Sequence, residues 1–325
     1  MKLHENKELF QDAVIATSQQ IGIREIYVEK DYWVTYALFN IFKSEIGKET
    51  VFKGGTSLSK CFDIIQRFSE DIDLVLLQNQ NETANQLKNK IKKISKSVSD
   101  VLSEINIEGI TNKVGVIRKT AHNYPQTFTG HFGQVRDNII IEATWLGSSE
   151  PYTTASVSSY IYGMMLENNQ QGLIDEYNMN PFEVLVLSPT RTLCEKIMSL
   201  VRFSHTEVFV NNLRNKIRHA YDIHLLLQEE NVKSFFHSYE FETMLKRVAT
   251  DDIISFKNNN QWLVNHPSTA IIFSDTTNTW NKIKDIYTSS FSDLVFGELP
   301  SENEILKSLM TVADRLKPVE WNIKP

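Results

Sequence analysis

The positions of apolar and polar side chains predict a chain that begins with helices, continues as mixed strands and helices, and ends almost wholly helical. Helical spacing runs through residues 5–20 and again through residues 28–43, where aromatic side chains form a broad apolar face. The second helix opens on Glu29, Lys30 and Asp31, which we interpret as a solvated first turn.

Short apolar and β-branched runs predict the strands. They are found at residues 51–53, 72–77, 114–117, 126–128, 137–145 and 182–187, with an extended or mixed segment at 156–166. Helical spacing predicts further helices at residues 82–105, 190–203, 211–228, 239–249, 279–289 and 302–316. The pattern becomes helical near residue 188, so we expect an α+β fold with domains at 1–188 and 189–325.

Lysines occupy one side of the helix predicted at residues 82–105. They are Lys88, Lys90, Lys92, Lys93 and Lys96, with no acid between them. Such a run is usually a solvated face, and this is the interpretation that we favour. The alternative is a surface that follows a phosphate backbone.

The composition is that of an ordinary soluble protein. The 325 residues are 41% hydrophobic and 23% charged, with a formal net charge of −6, so bulk charge does not indicate a nucleic-acid binder. The two cysteines, Cys61 and Cys194, fit buried thiols in a reducing compartment better than a disulfide or a metal site. No apolar run is long enough for a bilayer and the first residues are too polar for a secretory signal, so we expect a cytoplasmic protein without a membrane contact.

The stretch from Val51 to Leu77 carries the clearest chemistry. A short apolar run leads to Gly54 and Gly55, which permit positive φ angles and a close approach of the backbone to a ligand. Two hydroxyls follow, and Ser57 lies near the start of a short helix, where backbone N–H groups can hold a phosphate. A plain glycine turn between a strand and a helix is the simpler alternative.

The same stretch ends with Asp71 and Asp73 at the start of a strand, where alternate side chains share a face. Two carboxylates about 4 Å apart repel by about 4 kcal/mol at an effective dielectric constant near 20. Protonation, a basic neighbour or a divalent cation must offset that repulsion. Oxygen ligands favour Mg²⁺ or Mn²⁺ over zinc. A single acid facing solvent is the simpler alternative.

A third acid, Glu142, ends the apolar run of the best later strand. It lies either on the exposed face of that strand or in a functional site with the other two acids. We take Glu142 as the candidate to hold one metal ion and to help deprotonate an attacking hydroxyl.

Several motifs together resemble the AbiEii/AbiGii family of bacterial nucleotidyltransferase-like toxins, which belong to the DNA polymerase β-type nucleotidyltransferase superfamily. The most specific are KGGTSLSK at residues 53–60 and RFSEDIDL at residues 67–74. Three further segments are similar: VEKDY at 28–32, SPTRTLCEK at 188–196 and RHAYDIH at 218–224. The resemblance covers residues 25–230 approximately.

The resemblance implies a mixed-sheet nucleotidyltransferase core with a helical C-terminal region, an NTP substrate and Mg²⁺. By motif it assigns nucleotide binding to Lys53, Gly54, Gly55, Thr56, Ser57 and Arg67, with Ser57 meeting the triphosphate. It assigns the metal to Asp71 and Asp73, and it completes the site with Lys196 and Asp222. A lysine can offer a point charge to a phosphate, and Asp222 can hold that lysine or orient a substrate. Glu142 departs from the family pattern, in which an Asp is more usual.

We therefore expect a Mg²⁺-dependent nucleotidyltransferase that transfers a nucleotide to an RNA 3′ end, with tRNA as the acceptor of some relatives. Family members are associated with toxin–antitoxin systems and phage defence, which implies an antitoxin partner. Transfer of a nucleotide or a phosphate to a protein is an alternative that uses the same residues. A non-catalytic nucleotide-binding module is a third.

Overall fold

The protein divides into two compact units, which the computed structural model describes for residues 1–130, 132–133, 135–147, 149–255 and 260–324. The first unit comprises Met1–Asp63, Arg67–Trp145 and Tyr152–Leu187. The second comprises Ile64–Gln66, Leu146–Pro151 and Ser188–Pro325. Two short segments from the first half of the chain therefore belong to the second unit.

A mixed sheet forms the centre of the first unit. Its strands are β1 (Thr50–Lys53), β2 (Ile72–Leu76), β3 (Ser103–Ile105), β4 (Ile117–Asn123), β5 (Ile139–Thr144), β6 (Tyr152–Val157) and β7 (Phe182–Leu187). They follow the order β3-β4-β5-β2-β1-β7-β6. The pairs β1–β7 and β2–β5 are parallel, and the other pairs are antiparallel. This mixed sheet and its surrounding helices confirm the predicted α+β class.

Helices of the first unit are α1 (Lys7–Ile21), α2 (Glu25–Lys43), α3 (Gly54–Lys60), α4 (Ala84–Ser99), α5 (Tyr160–Glu167) and α6 (Gln171–Glu176). Helix α1 ends at Gly22, whose φ of 72° suits a glycine and whose N–H donates to the carbonyl of Ser18. It packs against α2 and α5, while α4 packs against β2, β4 and β5.

Helix α4 covers one face of the sheet and carries the lysine run on its outer side. Arg118 of β4 donates from Nε to Ser95 Oγ of α4 at 2.6 Å, so Arg118 points to this helix. The next residue, Lys119, therefore points to the opposite face. Four of the lysines are exposed, as a solvated face requires, whereas Lys90 pairs with Glu49 and Glu82.

Some element predictions were wrong, mostly where a short apolar run lacks a partner. Residues 126–128 form no strand, and Val114, predicted to begin one, is 81% exposed. The helix predicted at 82–105 ends at Ser99, and its last residues form β3. Asp71 precedes β2 rather than lying in it.

The second unit is helical throughout its described elements. Its helices are α7 (Pro189–Ser204), α8 (Phe209–Arg214), α9 (Ile217–Leu226), α10 (Glu230–His237), α11 (Tyr239–Ser255), α12 (Ile271–Ser274), α13 (Thr276–Thr288) and α14 (Glu302–Leu316). The single helix predicted at 211–228 is two, α8 and α9. Helix α7 begins as predicted, with Ser188 Oγ accepting from the N–H of Thr190 and Pro189 in the first turn.

Helix α7 packs against α8, α9 and α11, and α14 packs against α9 and α13. In the part of the chain that the structure describes, none of the helices has the length and apolar character needed to cross a membrane.

Candidate active site

Four charged side chains form a row across the middle of the sheet. Lys53 of β1 is opposite Asp73 of β2. Asp73 is also opposite Glu142 of β5, which in turn is opposite Lys119 of β4. Residues opposite one another in neighbouring strands share a face, so all four lie on the side away from α4. Lys119 Nζ is 3.0 Å from Glu142 Oε2. The row thus places two carboxylates between two lysines.

Negative charge is in excess at the centre of this row. Burial, together with the neighbouring carboxylates of Glu142 and Asp71, raises the pKa of Asp73 to about 7. Lys53 and Lys119 act in the opposite direction. Protonation of Asp73 is therefore one way in which the protein relieves the repulsion that the sequence predicts, and a bound cation would be another.

Without divalent cations, we expect the free energy of unfolding to fall as the pH rises from about 4 to about 7. An aspartate in the unfolded chain has a pKa of about 3.9, so in this window the folded protein binds more protons at Asp73 than the unfolded chain does. Urea unfolding at pH 5 and pH 8 measures the effect. The fall should be smaller in Asp73→Asn, and Mg²⁺ at pH 8 should stabilise the wild type more than this variant. Identical pH profiles for the two proteins would contradict the raised pKa.

Gly54 and Gly55 are glycines because two polar side chains closely approach their backbone. Gly54 has a φ of 83°, and a Cβ atom there would overlap the carboxylate of Asp73. A Cβ atom at Gly55 would lie 2.8 Å from Nη2 of Arg67. The glycine turn therefore admits a carboxylate and a guanidinium of the protein itself. Both groups lie where the sequence predicts a phosphate contact.

We expect Gly54→Ala to destabilise the protein by about 1–3 kcal/mol, because alanine at this φ is strained and its methyl group displaces Asp73. Urea unfolding at equilibrium measures the change. Gly163→Ala is the matched control, since a Cβ atom at this position of α5 meets nothing within 4 Å. That substitution should be neutral or stabilise by up to about 1 kcal/mol. Equal effects of the two substitutions would refute the explanation for Gly54.

The hydroxyls of Thr56 and Ser57 are buried and bonded within the protein. Thr56 Oγ1 donates to the carbonyl of Asp71 at 2.6 Å and lies 2.9 Å from Ser69 Oγ. Ser57 Oγ donates to the carbonyl of Gly54 at 2.9 Å. These bonds tie α3 to the segment before β2. Because phosphate oxygens only accept hydrogen bonds, Ser57 must exchange its carbonyl partner to donate to a triphosphate.

Asp71 faces a cation from the segment that precedes β5. Arg136 Nη1 lies 3.4 Å from Asp71 Oδ1, with the two side chains 42% and 40% exposed. A pair this exposed adds little stability and exchanges readily with ligands. Sequence patterns did not indicate Arg136 or Lys119, since each is an isolated base whose acidic partner is distant along the chain.

The charged run at residues 29–31 lies in the second turn of α2, which begins at Glu25, and it is buried, so its interpretation as a solvated first turn is wrong. Glu29 accepts hydrogen bonds from the N–H groups of Thr127 at 2.7 Å and Phe128 at 3.1 Å. Lys30 donates to the carbonyl of Arg136, and burial lowers the pKa of Lys30 to about 8. These contacts hold the segment that carries Arg136 toward Asp71.

Asp31, the third charge of the run at residues 29–31, forms an ion pair with Lys60 of α3. Lys60 Nζ is 2.6 Å from Asp31 Oδ1, and the two side chains are 3% and 1% exposed. Asp31 Oδ2 also accepts from the N–H of Tyr160 at 2.8 Å. The pair fixes the end of α3, and thereby the glycine turn, against α2. A run of three charges inside an otherwise apolar helix was the signal available in the sequence.

In the second unit, Lys196 of α7 and Asp222 of α9 form a buried ion pair. The distance from Lys196 Nζ to Asp222 Oδ2 is 2.6 Å, and the side chains are 6% and 0% exposed. Glu195 pairs instead with Arg191, at 3.2 Å. Lys196 therefore turns away from its neighbour Glu195 and is not part of a surface ion pair.

The carboxylates of the first unit have the chemistry of ligands for a divalent cation. Among the described residues, no three His, Cys, Asp or Glu side chains lie close enough together to hold a metal ion. The oxygen donors and the excess negative charge at Asp73 nevertheless fit Mg²⁺ or Mn²⁺. Asp71 and Asp73 are the residues that would hold it, and Glu142 would join them by releasing Lys119.

Comparisons with known proteins bear on the family and the fold of the chain. The profile of the family described as nucleotidyl transferase AbiEii toxin, type IV TA system, matches residues 36–303. MenT4, a nucleotidyltransferase toxin from Mycobacterium tuberculosis, has a similar structure over 94% of this chain and 90% of its own, with a TM-score of 0.50 and 12% identity. JHP933 from Helicobacter pylori is similar over 90% of this chain and 93% of its own, with a TM-score of 0.42 and 12% identity. No curated protein matches in sequence. The likeness to MenT4 shows a shared fold.

Proposed function

The chain belongs to the AbiEii nucleotidyl transferase toxin family of type IV toxin–antitoxin systems, and on that basis we propose that it transfers a nucleoside monophosphate to an RNA 3′ end. The protein is thus a nucleotidyltransferase, with a nucleotide substrate and an antitoxin as its partner. Our proposal adds the acceptor, most directly tRNA, a dependence on Mg²⁺, and action in the cytoplasm as part of phage defence.

The row formed by Lys53, Asp73, Glu142 and Lys119 is the observation that carries the proposal. It places two carboxylates and two lysine side chains beside a glycine turn, on the face of the sheet away from α4. Phosphoryl transfer depends mainly on positioning and on neutralising the charge of the phosphates. Strongly perturbed carboxyl groups, such as that of Asp73, are typical of functional sites.

In this proposal the residues of the glycine turn hold the triphosphate. The backbone of Gly54 and Gly55 approaches it, Ser57 donates to it, and Lys53 and Arg67 supply positive charge. Asp71 and Asp73 would hold a divalent cation, which supplies further neutralisation at the reacting phosphates when it is bound. Thr56 keeps the turn in place through its bond to the carbonyl of Asp71.

The acceptor hydroxyl oxygen attacks the α-phosphorus, and the bond from that phosphorus to the bridging oxygen breaks. Pyrophosphate leaves, and the hydroxyl proton goes to the carboxylate of Glu142, which lies 3.0 Å from Lys119 Nζ before the substrates bind. For Lys196 we propose a contact with a phosphate, with Asp222 orienting the lysine. One phosphorus–oxygen bond forms to the acceptor and one breaks to pyrophosphate, so no oxidant or reductant is required.

Labelled nucleotides test the proposal directly. The purified protein is incubated with Mg²⁺, total RNA, cellular protein and each NTP, labelled in turn at the α- and γ-phosphate. We expect the α-label, and not the γ-label, on RNA, and on tRNA after fractionation. Label on protein would show that the acceptor is a protein and not RNA, and transfer of the γ-label would indicate phosphorylation. Absence of label on every acceptor would contradict a catalytic role.

A further inference from the structure

Helix α4 carries a positive face that the proposed reaction does not use. Its 16 residues include five lysines and no acid, although the whole chain has a formal net charge of −6. Lys88, Lys92, Lys93 and Lys96 are exposed, while the other side of the helix packs against β2, β4 and β5. The local surface, and not the net charge, decides whether a protein can hold a nucleic-acid backbone.

These four lysines lack the acidic partners that other lysines of the chain have. Within the described residues, no carboxylate pairs with any of them, whereas Lys90 of the same helix pairs with Glu49 and Glu82. In α11, Lys246 pairs with Glu242 one turn away. Like charges three or four residues apart destabilise a helix, and mixed charges would serve solubility equally well. The positive charge of α4 is therefore available to an anion from outside.

The spacing of the lysines suits a repeating anion. Lys88, Lys92 and Lys96 follow one another at intervals of four residues, over which a helix rises by about 6 Å. Neighbouring phosphates of a nucleic-acid strand have a similar separation. Asn85 and Asn89, also exposed on this helix, can donate hydrogen bonds to phosphate or sugar oxygens. A line of ammonium groups with amide donors beside it fits a phosphate backbone better than a single small anion.

The positive face lies on the opposite side of the sheet from the row that contains Asp73 and Glu142. Arg118 of β4 contacts α4, whereas the next residue, Lys119, belongs to the row. The sheet and the thickness of a helix, about 10 Å, separate the two places. An RNA of a few nucleotides with its 3′ end at the row therefore cannot also reach the lysines. A folded RNA, whose body extends far beyond its 3′ end, can do so.

We propose that the outer side of α4 binds the phosphate backbone of a folded RNA acceptor, away from the 3′ end that reacts. The inference rests on the proposed function, because it takes the acceptor to be RNA. Contacts of lysine with phosphates add affinity without sequence specificity. The surface thus favours large, structured RNAs over short ones as acceptors.

The salt dependence of RNA binding tests this surface. The variant Lys88→Gln/Lys92→Gln/Lys93→Gln/Lys96→Gln removes four charges and keeps residues of similar helix propensity. We expect it to bind tRNA about tenfold more weakly at about 100 mM salt, and the slope of log K against log salt to fall in magnitude by about two to four. Arginine at the same four positions should keep the wild-type affinity. Circular dichroism measures whether the helices of both variants remain folded.

The matched control replaces four exposed lysines from other parts of the chain by glutamine and changes the net charge equally. They are Lys7, Lys48, Lys233 and Lys317. This variant should bind tRNA within about twofold of the wild type. Equal losses in the two glutamine variants would reduce the effect to bulk charge and overturn the inference. Equal affinity of the wild type for tRNA and for polyglutamate would also overturn it, since any polyanion would then suffice.

Transfer assays separate the inference from the proposed function. The wild type should label a full tRNA with a kcat/KM at least about tenfold above that for an oligonucleotide of its last four nucleotides. The glutamine variant of α4 should lose most of this advantage. If the two proteins showed the same ratio, the inference would fail and the proposed function would stand. If the wild type labelled neither RNA, both would fail.

Discussion

The double variant Asp71→Asn/Asp73→Asn should lose nucleotidyl transfer and remain folded. We expect incorporation of α-labelled NTP to fall by about a thousandfold or more, equivalent to about 4 kcal/mol of transition-state stabilisation. The reason is that both carboxylates would be needed to bring a cation to the phosphates. Rate measurements at saturating NTP, with unfolding by urea in parallel, test the two parts of this expectation.

Stability distinguishes this prediction from simple damage to the fold. The folded protein disfavours the ionised form of Asp73, whose pKa is raised to about 7, so an uncharged amide should leave stability unchanged or increase it at pH 8. Asp12→Asn, at an exposed position of α1, is the matched control and should keep full activity. Full transfer activity in the double variant would disprove the catalytic role, whereas a loss of activity that only follows unfolding would contradict the expectation that the variant remains folded.

Lys196→Met should destabilise the second unit by about 3–5 kcal/mol, because it removes the ammonium group that pairs with the buried carboxylate of Asp222. Asp222 is fully buried and lies 2.6 Å from Lys196 Nζ. Thermal or urea unfolding measures the loss. Lys246→Met is the control in the same unit, since Lys246 pairs with Glu242 within one helix and is 27% exposed. We expect it to cost less than about 1 kcal/mol.

A second variant separates the structural role of this pair from a role in phosphate contact. Lys196→Met/Asp222→Leu replaces both charges with apolar groups and should regain most of the lost stability, because neither charge of this buried pair remains. If Lys196 contacts a phosphate, this stable double variant still lacks transfer activity. Recovery of activity together with stability would show that the pair serves only the fold.

Elements with strong local signals were predictable from the sequence. Strand β7 and helix α14 have the bounds that the pattern predicts, 182–187 and 302–316. The helix also has a capping box, in which Ser301 and Glu304 satisfy each other's backbone N–H groups. The break between α8 and α9 was not predictable, because the helical spacing of apolar residues continues across it, although one helix ends at Arg214 and the next begins at Ile217.

The charged run in the second turn of α2 shows where local sequence patterns fail to predict burial. Glu29, Lys30 and Asp31 have the composition of a solvated turn, and solvated is the commoner state of such runs. Their partners, however, are Thr127, Phe128 and Arg136 for the first two, and Lys60 for the third. Burial of a charge is decided by its partner, and these partners lie outside any sequence window.

The sequence by itself determined the family, the glycine turn and the positions of Asp71, Asp73 and Glu142 along the chain. Its motifs also named Lys196 and Asp222, although not the ion pair between them. Only the tertiary structure decided that Asp73 lies between Lys53 and Glu142, and that Lys119 completes the row. The physical reason is strand register: β2 pairs with β5 across more than 60 intervening residues, and that pairing brings a second carboxylate against Asp73, which adds to the effect of burial in raising the pKa of Asp73. The glycine turn thus indicates the kind of chemistry, and the pairing of the strands brings the charged side chains together.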